Sequence, residues 1–187
     1  MDYQQILNEI FDELPFGEKQ GEVANYIPEL AKVNPNDFAV FMTCIDGRTF
    51  SLGEPEQSFS AQSITKVFSL CLAMKLLGDA VFERVDVEPS GTSFNSLVLL
   101  EYENGIPRNP FINSGALVIA DMLVRQLDNP KKEFLAFVRH LSGDASIDYN
   151  PAVAASEATK GFRNRSLANL LKSFGNINAE VEEVLDF

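Results

Sequence analysis

The stretch that most constrains this chain runs from Phe59 to Leu77. Val67, Phe68, Leu70, Cys71, Leu72, Met74, Leu76 and Leu77 leave hardly any polar face on a helix. Such a helix is expected to run through a core. At its start stand Ser63 and Lys66, a Ser-x-x-Lys pair. Residues three apart share a helix face, with Cβ atoms roughly 5–6 Å apart. A serine alcohol becomes a good nucleophile only when a nearby base takes its proton. Lysine can be that base when neutral, and burial lowers its pKa towards that state. The first turn of a helix also favours developing negative charge. Ser-x-x-Lys is only two residues, however, and such a pattern also arises by chance.

The rest of the composition narrows the alternatives. A chain of 187 residues forms one large domain or two small ones, and 45% hydrophobic with 22% charged residues is ordinary for a globular protein with a core. The net charge of −12 argues against nucleic acid or an anionic membrane as partner. No apolar run approaches a membrane span, and Met1-Asp2-Tyr3-Gln4 lacks the plan of a leader peptide, so the cytoplasm is the expected compartment. Cys44 and Cys71 fall in apolar segments and read as small core residues, with no disulfide framework or metal site. The single histidine, His140, lies near a helix end, where the residue is usually a surface or capping group and not part of a triad. The chain offers neither zinc-type ligand spacing nor a phosphate-binding glycine pattern, so no metal and no cofactor is expected.

Taken in order, residues 2–14 have helical spacing that Pro15 ends. Residues 22–33 read as a second helical stretch, with Pro28 forcing a kink or a fresh start at Asn25-Tyr26-Ile27. Residues 38–45 and 48–53 read as strands joined by Asp46-Gly47, a strong hairpin signal. The central helix can end at Gly78, and a short helical piece follows over 79–84. Two turn-rich loops, 88–96 and 104–110, flank an apolar segment at 97–102. Phe111 to Leu127 reads as a helix whose small residues Ser114, Gly115 and Ala116 allow close backbone packing. Asn113 there would need full hydrogen bonding if buried. Further helices are expected from Asn129-Pro130 to Ser142, from Asn150-Pro151 to Lys160, from Arg163 to Phe174 and from Asn178 to Asp186. The hairpin is apolar enough to want a larger sheet, yet nothing after residue 102 reads as a strand.

Several stretches together resemble the serine-dependent glutaminases, a family with the β-lactamase/transpeptidase-like α+β fold. They are Tyr26-Ile27-Pro28-Glu29-Leu30-Ala31, Gln62-Ser63-Ile64-Thr65-Lys66, Glu88-Pro89-Ser90-Gly91 with Phe94-Asn95, Asn109 through Ala116, Ser156-Glu157 with Arg163-Asn164-Arg165, and Val184-Leu185-Asp186-Phe187. The match covers about residues 20–187. It implies hydrolysis of L-glutamine to L-glutamate and ammonia. Ser63 then matches the nucleophile and Lys66 its base, while Tyr26, Asn113, Glu157 and Asn164 match residues lining the glutamine pocket. The residue types suit a free amino acid, with Glu157 for the ammonium and the amides and tyrosine for the carboxylate or carboxamide. Gln62 would contribute orientation only. The resemblance also implies a homodimer or homotetramer.

Family members continue past the counterpart of Phe187 with two tyrosines, a second oxyanion donor and the rest of the sheet. The chain is therefore expected to be a single, C-terminally truncated glutaminase domain over 1–187, mostly helical with one hairpin. Losing one oxyanion donor costs on the order of 10²–10³ in rate, so the isolated chain is expected to be nearly inactive. Two alternatives stand beside this reading. A penicillin-recognising serine hydrolase shares Ser-x-x-Lys, but Ser-Asp-Asn and Lys-Thr-Gly are absent, and Tyr102-Glu103-Asn104 fits Tyr-x-Asn by letter alone. The other is a glutamine-binding fragment without turnover.

Overall fold

Asp2 starts the first element, accepting the N–H of Gln5 at 3.0 Å and capping helix α1 (Tyr3–Glu13). The structure, a computed structural model, describes residues 1–14, 22–91, 93–94 and 96–187. The expected stop at Pro15, and Thr92 and Asn95 of the polar loop, lie outside the described residues. The chain divides into two compact units, Met1–Ser60 and Ala61–Phe187.

In the first unit, strands β1 (Ala39–Thr43) and β2 (Thr49–Gly53) pair antiparallel, with Phe41 opposite Ser51. Gly47 sits at φ +83° in the connection, a conformation that costs glycine nothing and explains the Asp-Gly signal. Helix α1 lies on this hairpin. Gln4 donates from Nε2 to the Ser51 carbonyl at 3.0 Å and accepts the Ser51 N–H at 3.4 Å, much as a neighbouring strand would. Tyr3 and Phe11 pack on Phe50 and Phe38. The expected helix over 22–33 does not form. Residues 22–33 are turns with one short 3-10 segment, Leu30–Lys32. Pro28 lacks the N–H and the room that a continuous helix needs. Among the described residues the sheet has two strands.

The second unit is helical. It comprises α2 (Thr65–Leu77), α3 (Leu97–Tyr102), α4 (Asn113–Gln126), α5 (Pro130–Ser142), α6 (Pro151–Lys160), α7 (Phe162–Ser173) and α8 (Val181–Asp186). Asn129 and Asn150 cap α5 and α6, with proline at the first helical position, as their Asn-Pro pairs predict. Helix α4 is the hub, packed against α2, α7 and α8. Its Val118, Ile119 and Leu123 are fully buried with Leu167 and Leu171 of α7.

Further expectations need correcting. Helix α2 is not enclosed by the described residues. Leu72 and Ala73 are buried, whereas Val67, Cys71, Met74 and Leu76 are exposed. Cys71 is therefore no core residue. Helix α8 also starts later than Asn178. The N–H groups of Asn178 and Ala179 donate to Asp121 Oδ1 at 2.9 and 2.7 Å, so the chain there is tied to α4. Glu180 and Glu183 form the capping box that opens α8.

Asp121 anchors a buried polar cluster that no sequence pattern announces. It is 0% exposed, and its Oδ2 accepts Arg84 Nη2 at 2.6 Å. Arg84 also donates to Asn176 Oδ1 and to the Asn176 carbonyl, and Asn176 Nδ2 donates to the carbonyls of Arg84 and Gly105. With each group paired, the cluster avoids the cost of buried unsatisfied charge and joins three segments to α4.

Candidate active site

Gln62, Ser63 and Ile64 form a short 3-10 turn that leads into α2. Gln62 has φ +43°, a left-handed conformation that costs a non-glycine residue energy and tends to occur at functional sites. Its carbonyl accepts Thr65 Oγ1 at 2.7 Å, which holds the turn in place. Ser63 follows directly and is exposed. The pair thus straddles the boundary, with Ser63 on the 3-10 turn and Lys66 in the first turn of α2.

Lys66 is half-buried. Its Nζ donates to Asn113 Oδ1 at 2.7 Å and to the Phe111 carbonyl at 3.0 Å. The ring of Phe94 lies 6.0 Å away. Burial pushes the Lys66 ammonium below the usual lysine range. The two acceptors are neutral, and among the described residues no ion pair to Lys66 offsets that desolvation.

Asn113 opens α4, and its N–H donates to the Phe94 carbonyl at 2.9 Å. Its side chain joins two elements, since Nδ2 donates to Asn164 Oδ1 at 3.0 Å while Oδ1 takes Lys66. Asn164 lies in the first turn of α7. The structure therefore brings Lys66, Asn113 and Asn164 together from three helices. Asn113 keeps one Nδ2 hydrogen and one Oδ1 lone pair for a further partner.

Among the described residues, Ser63 and Glu157, also expected at the site, are not hydrogen-bonded to this cluster. Among the described residues no hydrogen bond links Ser63 Oγ to Lys66 Nζ. Glu157 is exposed on α6 and makes no hydrogen bond to Lys66, Asn113 or Asn164. Tyr26 belongs to the first unit and is 65% exposed. His140 stands exposed in the last turn of α5, in line with the surface reading. No group of three His, Cys, Asp or Glu side chains among the described residues could hold a metal ion.

Sequence reasoning assigned no role to the Phe111 carbonyl, to Phe94 or to Asn109; the first two lie against Lys66, and Asn109 accepts the Phe111 N–H. The available signal was the Asn109-Pro110 pair so close to Asn113. A main-chain acceptor carries no residue-type signature, so the Phe111 carbonyl could not have been found that way.

The model of the glutaminase family matches residues 21–187. The glutaminase of Christiangramia forsetii is 57% identical over 187 residues, covering 100% of this chain and 62% of that protein. That of Saccharophagus degradans is 53% identical over 186 residues, covering 100% of this chain and 61% of that protein. A solved structure of the probable glutaminase ybaS superposes with a TM-score of 0.89 at 31% identity, covering 98% of this chain and 59% of that one. A probable glutaminase from Bacillus subtilis, complexed with 6-diazo-5-oxo-L-norleucine, gives a TM-score of 0.73 at 34% identity over 89% of this chain and 50% of that one. The chain spans about six-tenths of the length of the curated relatives it matches.

Proposed function

The chain belongs to the glutaminase family, and we propose on that footing that it carries the nucleophile and base for hydrolysing L-glutamine to L-glutamate and ammonia. The observation that carries the reading is the half-buried Lys66 amine, held by Asn113 Oδ1 and the Phe111 carbonyl three residues beyond an exposed serine. A neutral amine has two N–H bonds and one lone pair. Two fixed acceptors take the two hydrogens, and the lone pair is left for the Ser63 proton.

Ser63 Oγ attacks the side-chain carboxamide carbon while its proton passes to Lys66 Nζ. The carbonyl electrons move onto oxygen, and the Ser63 N–H is one donor for that oxyanion. The carbon–nitrogen bond then breaks, and Lys66 returns the proton to the departing ammonia. Water adds to the γ-glutamyl ester and releases glutamate, restoring Ser63. The family resemblance further implies Glu157 for the substrate ammonium, and Asn113, Asn164 and Tyr26 for its carboxylate or carboxamide. The ligand of the Bacillus subtilis structure supports glutamine as the substrate, because 6-diazo-5-oxo-L-norleucine carries its 5-oxo carbon where glutamine carries the carboxamide carbon.

The β-lactamase/transpeptidase-like assignment of the fold, the cytoplasmic location and assembly into a homodimer or homotetramer belong to the same proposal. Light scattering tests the last. The catalytic reading is tested by ammonia release from L-glutamine, with Ser63→Ala as control. The substitution should lower turnover on the order of 10⁴-fold or more. Undiminished release by Ser63→Ala would remove the nucleophile. A folded chain that binds glutamine equally with and without Ser63→Ala, and releases no ammonia, fits a glutamine-binding protein without turnover.

A further inference from the structure

Asn109 uses each polar atom of its side chain to brace the turn before α4. Its Oδ1 accepts the N–H groups of Phe111 at 3.0 Å and Ile112 at 3.1 Å, and its Nδ2 donates to the Glu88 carbonyl at 2.9 Å. Glu88 is itself tied down, its N–H donating to the Arg108 carbonyl at 2.7 Å. On the other side the Asn109 main chain presses against α4 at Gly115. A Cβ on Gly115 would lie 2.0 Å from the Asn109 carbonyl oxygen and 3.0 Å from Pro110 Cα, so only glycine permits this approach. The Phe111 carbonyl held by this turn accepts Lys66 Nζ at 3.0 Å.

We propose that Asn109 is a positioning residue for Lys66, its side-chain oxygen locking the Phe111–Ile112 segment so that the Phe111 carbonyl stays on the amine. Asn109 makes no contact with the reacting groups and acts through that carbonyl. Its importance for turnover rests on the reading of Lys66 as the base. The geometric reason is rotational. A single acceptor, Asn113 Oδ1, leaves the amine free to turn about the Cε–Nζ bond. A second fixed acceptor sets both N–H directions and thereby the direction of the lone pair. An Asx-type turn of this kind often serves only local structure. Here the peptide it fixes carries one of the two acceptors on the amine.

The test reads that carbonyl directly and needs no turnover. Phe111–Ile112 is the sole Phe-Ile pair in the sequence. Carbonyl-13C phenylalanine with 15N isoleucine therefore gives one peak in a carbon-detected carbonyl–nitrogen spectrum, which tolerates alkaline pH. In the unsubstituted chain the Phe111 carbonyl should shift as Lys66 titrates, and the shift should vanish in Lys66→Met. Asn109→Ala should lose this response. Asn109→Asp keeps the acceptor and loses only the donor to Glu88, so it should retain the response. A carbonyl in Asn109→Ala that follows Lys66 as in the unsubstituted chain overturns the proposal. If Asn109→Ala unfolds, Asn109→Asp decides, since a flat response there also overturns it. Loss of the catalytic reading looks different, because Ser63→Ala or Lys66→Met would then keep turnover whatever this peak does.

Discussion

Lys66 Nζ and Asn113 Oδ1 lie 2.7 Å apart, and the same Asn113 side chain reaches Asn164 at 3.0 Å. One amide thus links the expected base on α2 to the expected pocket residue on α7. The acceptor is neutral, which leaves the amine easier to deprotonate than a carboxylate partner would.

That neutrality is testable with Asn113→Asp. A carboxylate beside the ammonium favours its charged form and should raise the Lys66 pKa. Aspartate also cannot donate to Asn164 Oδ1. The lysine Cε resonance of residue 66 should then titrate at higher pH than in the unsubstituted chain. Any glutamine turnover should fall at neutral pH, by about 10²–10⁴-fold for a lost general base, and recover as pH rises. An unchanged lysine titration would show that the 2.7 Å contact does not govern the amine.

The buried lysine should also leave a mark on stability. Its folded pKa lies below its unfolded value of about 10.4. Between the two, the unfolded chain binds the extra proton, so stability rises with pH across that window and levels off above it. Lys66→Met removes this contribution. The urea midpoint of the unsubstituted chain should therefore gain on that of Lys66→Met between neutral pH and about 10.4. A gap between the two midpoints that does not change with pH would contradict the desolvation account.

Asp121→Ala should be among the most damaging single substitutions outside the candidate active site. It strands the Arg84 guanidinium and the N–H groups of Asn178 and Ala179. Removing one partner of a buried pair costs about 3–5 kcal/mol. The check is the urea midpoint, which should fall with little change in slope. A loss below about 1 kcal/mol would mean that water replaces the carboxylate without penalty.

Much of the local structure was legible. Helix α5 begins where Asn129-Pro130 announces it, because a capping side chain and a fixed φ act within a few residues. The hairpin turns at Asp46-Gly47 for the same reason, since Gly47 adopts positive φ. The helix expected over 22–33 is reduced to the 3-10 segment Leu30–Lys32, because Pro28 has no N–H to give a helix and its ring crowds the preceding turn. The late start of α8 could not be read at all, for the competing acceptor, Asp121, lies 57 residues away from Asn178.

The site divides along the same line. The Ser-x-x-Lys spacing points to Ser63 and Lys66, because nucleophile and base chemistry belong to the side chains themselves, while the pocket roles of Asn113 and Asn164 are what the family resemblance implies. Only the tertiary structure decided that Asn113 bridges Lys66 and Asn164, that the Phe111 carbonyl is the second acceptor, and that Asn109 and Gly115 hold that carbonyl in place. Those relations are distances between helices and a main-chain direction. They arise when α2, α4 and α7 pack, and no single stretch of sequence encodes them.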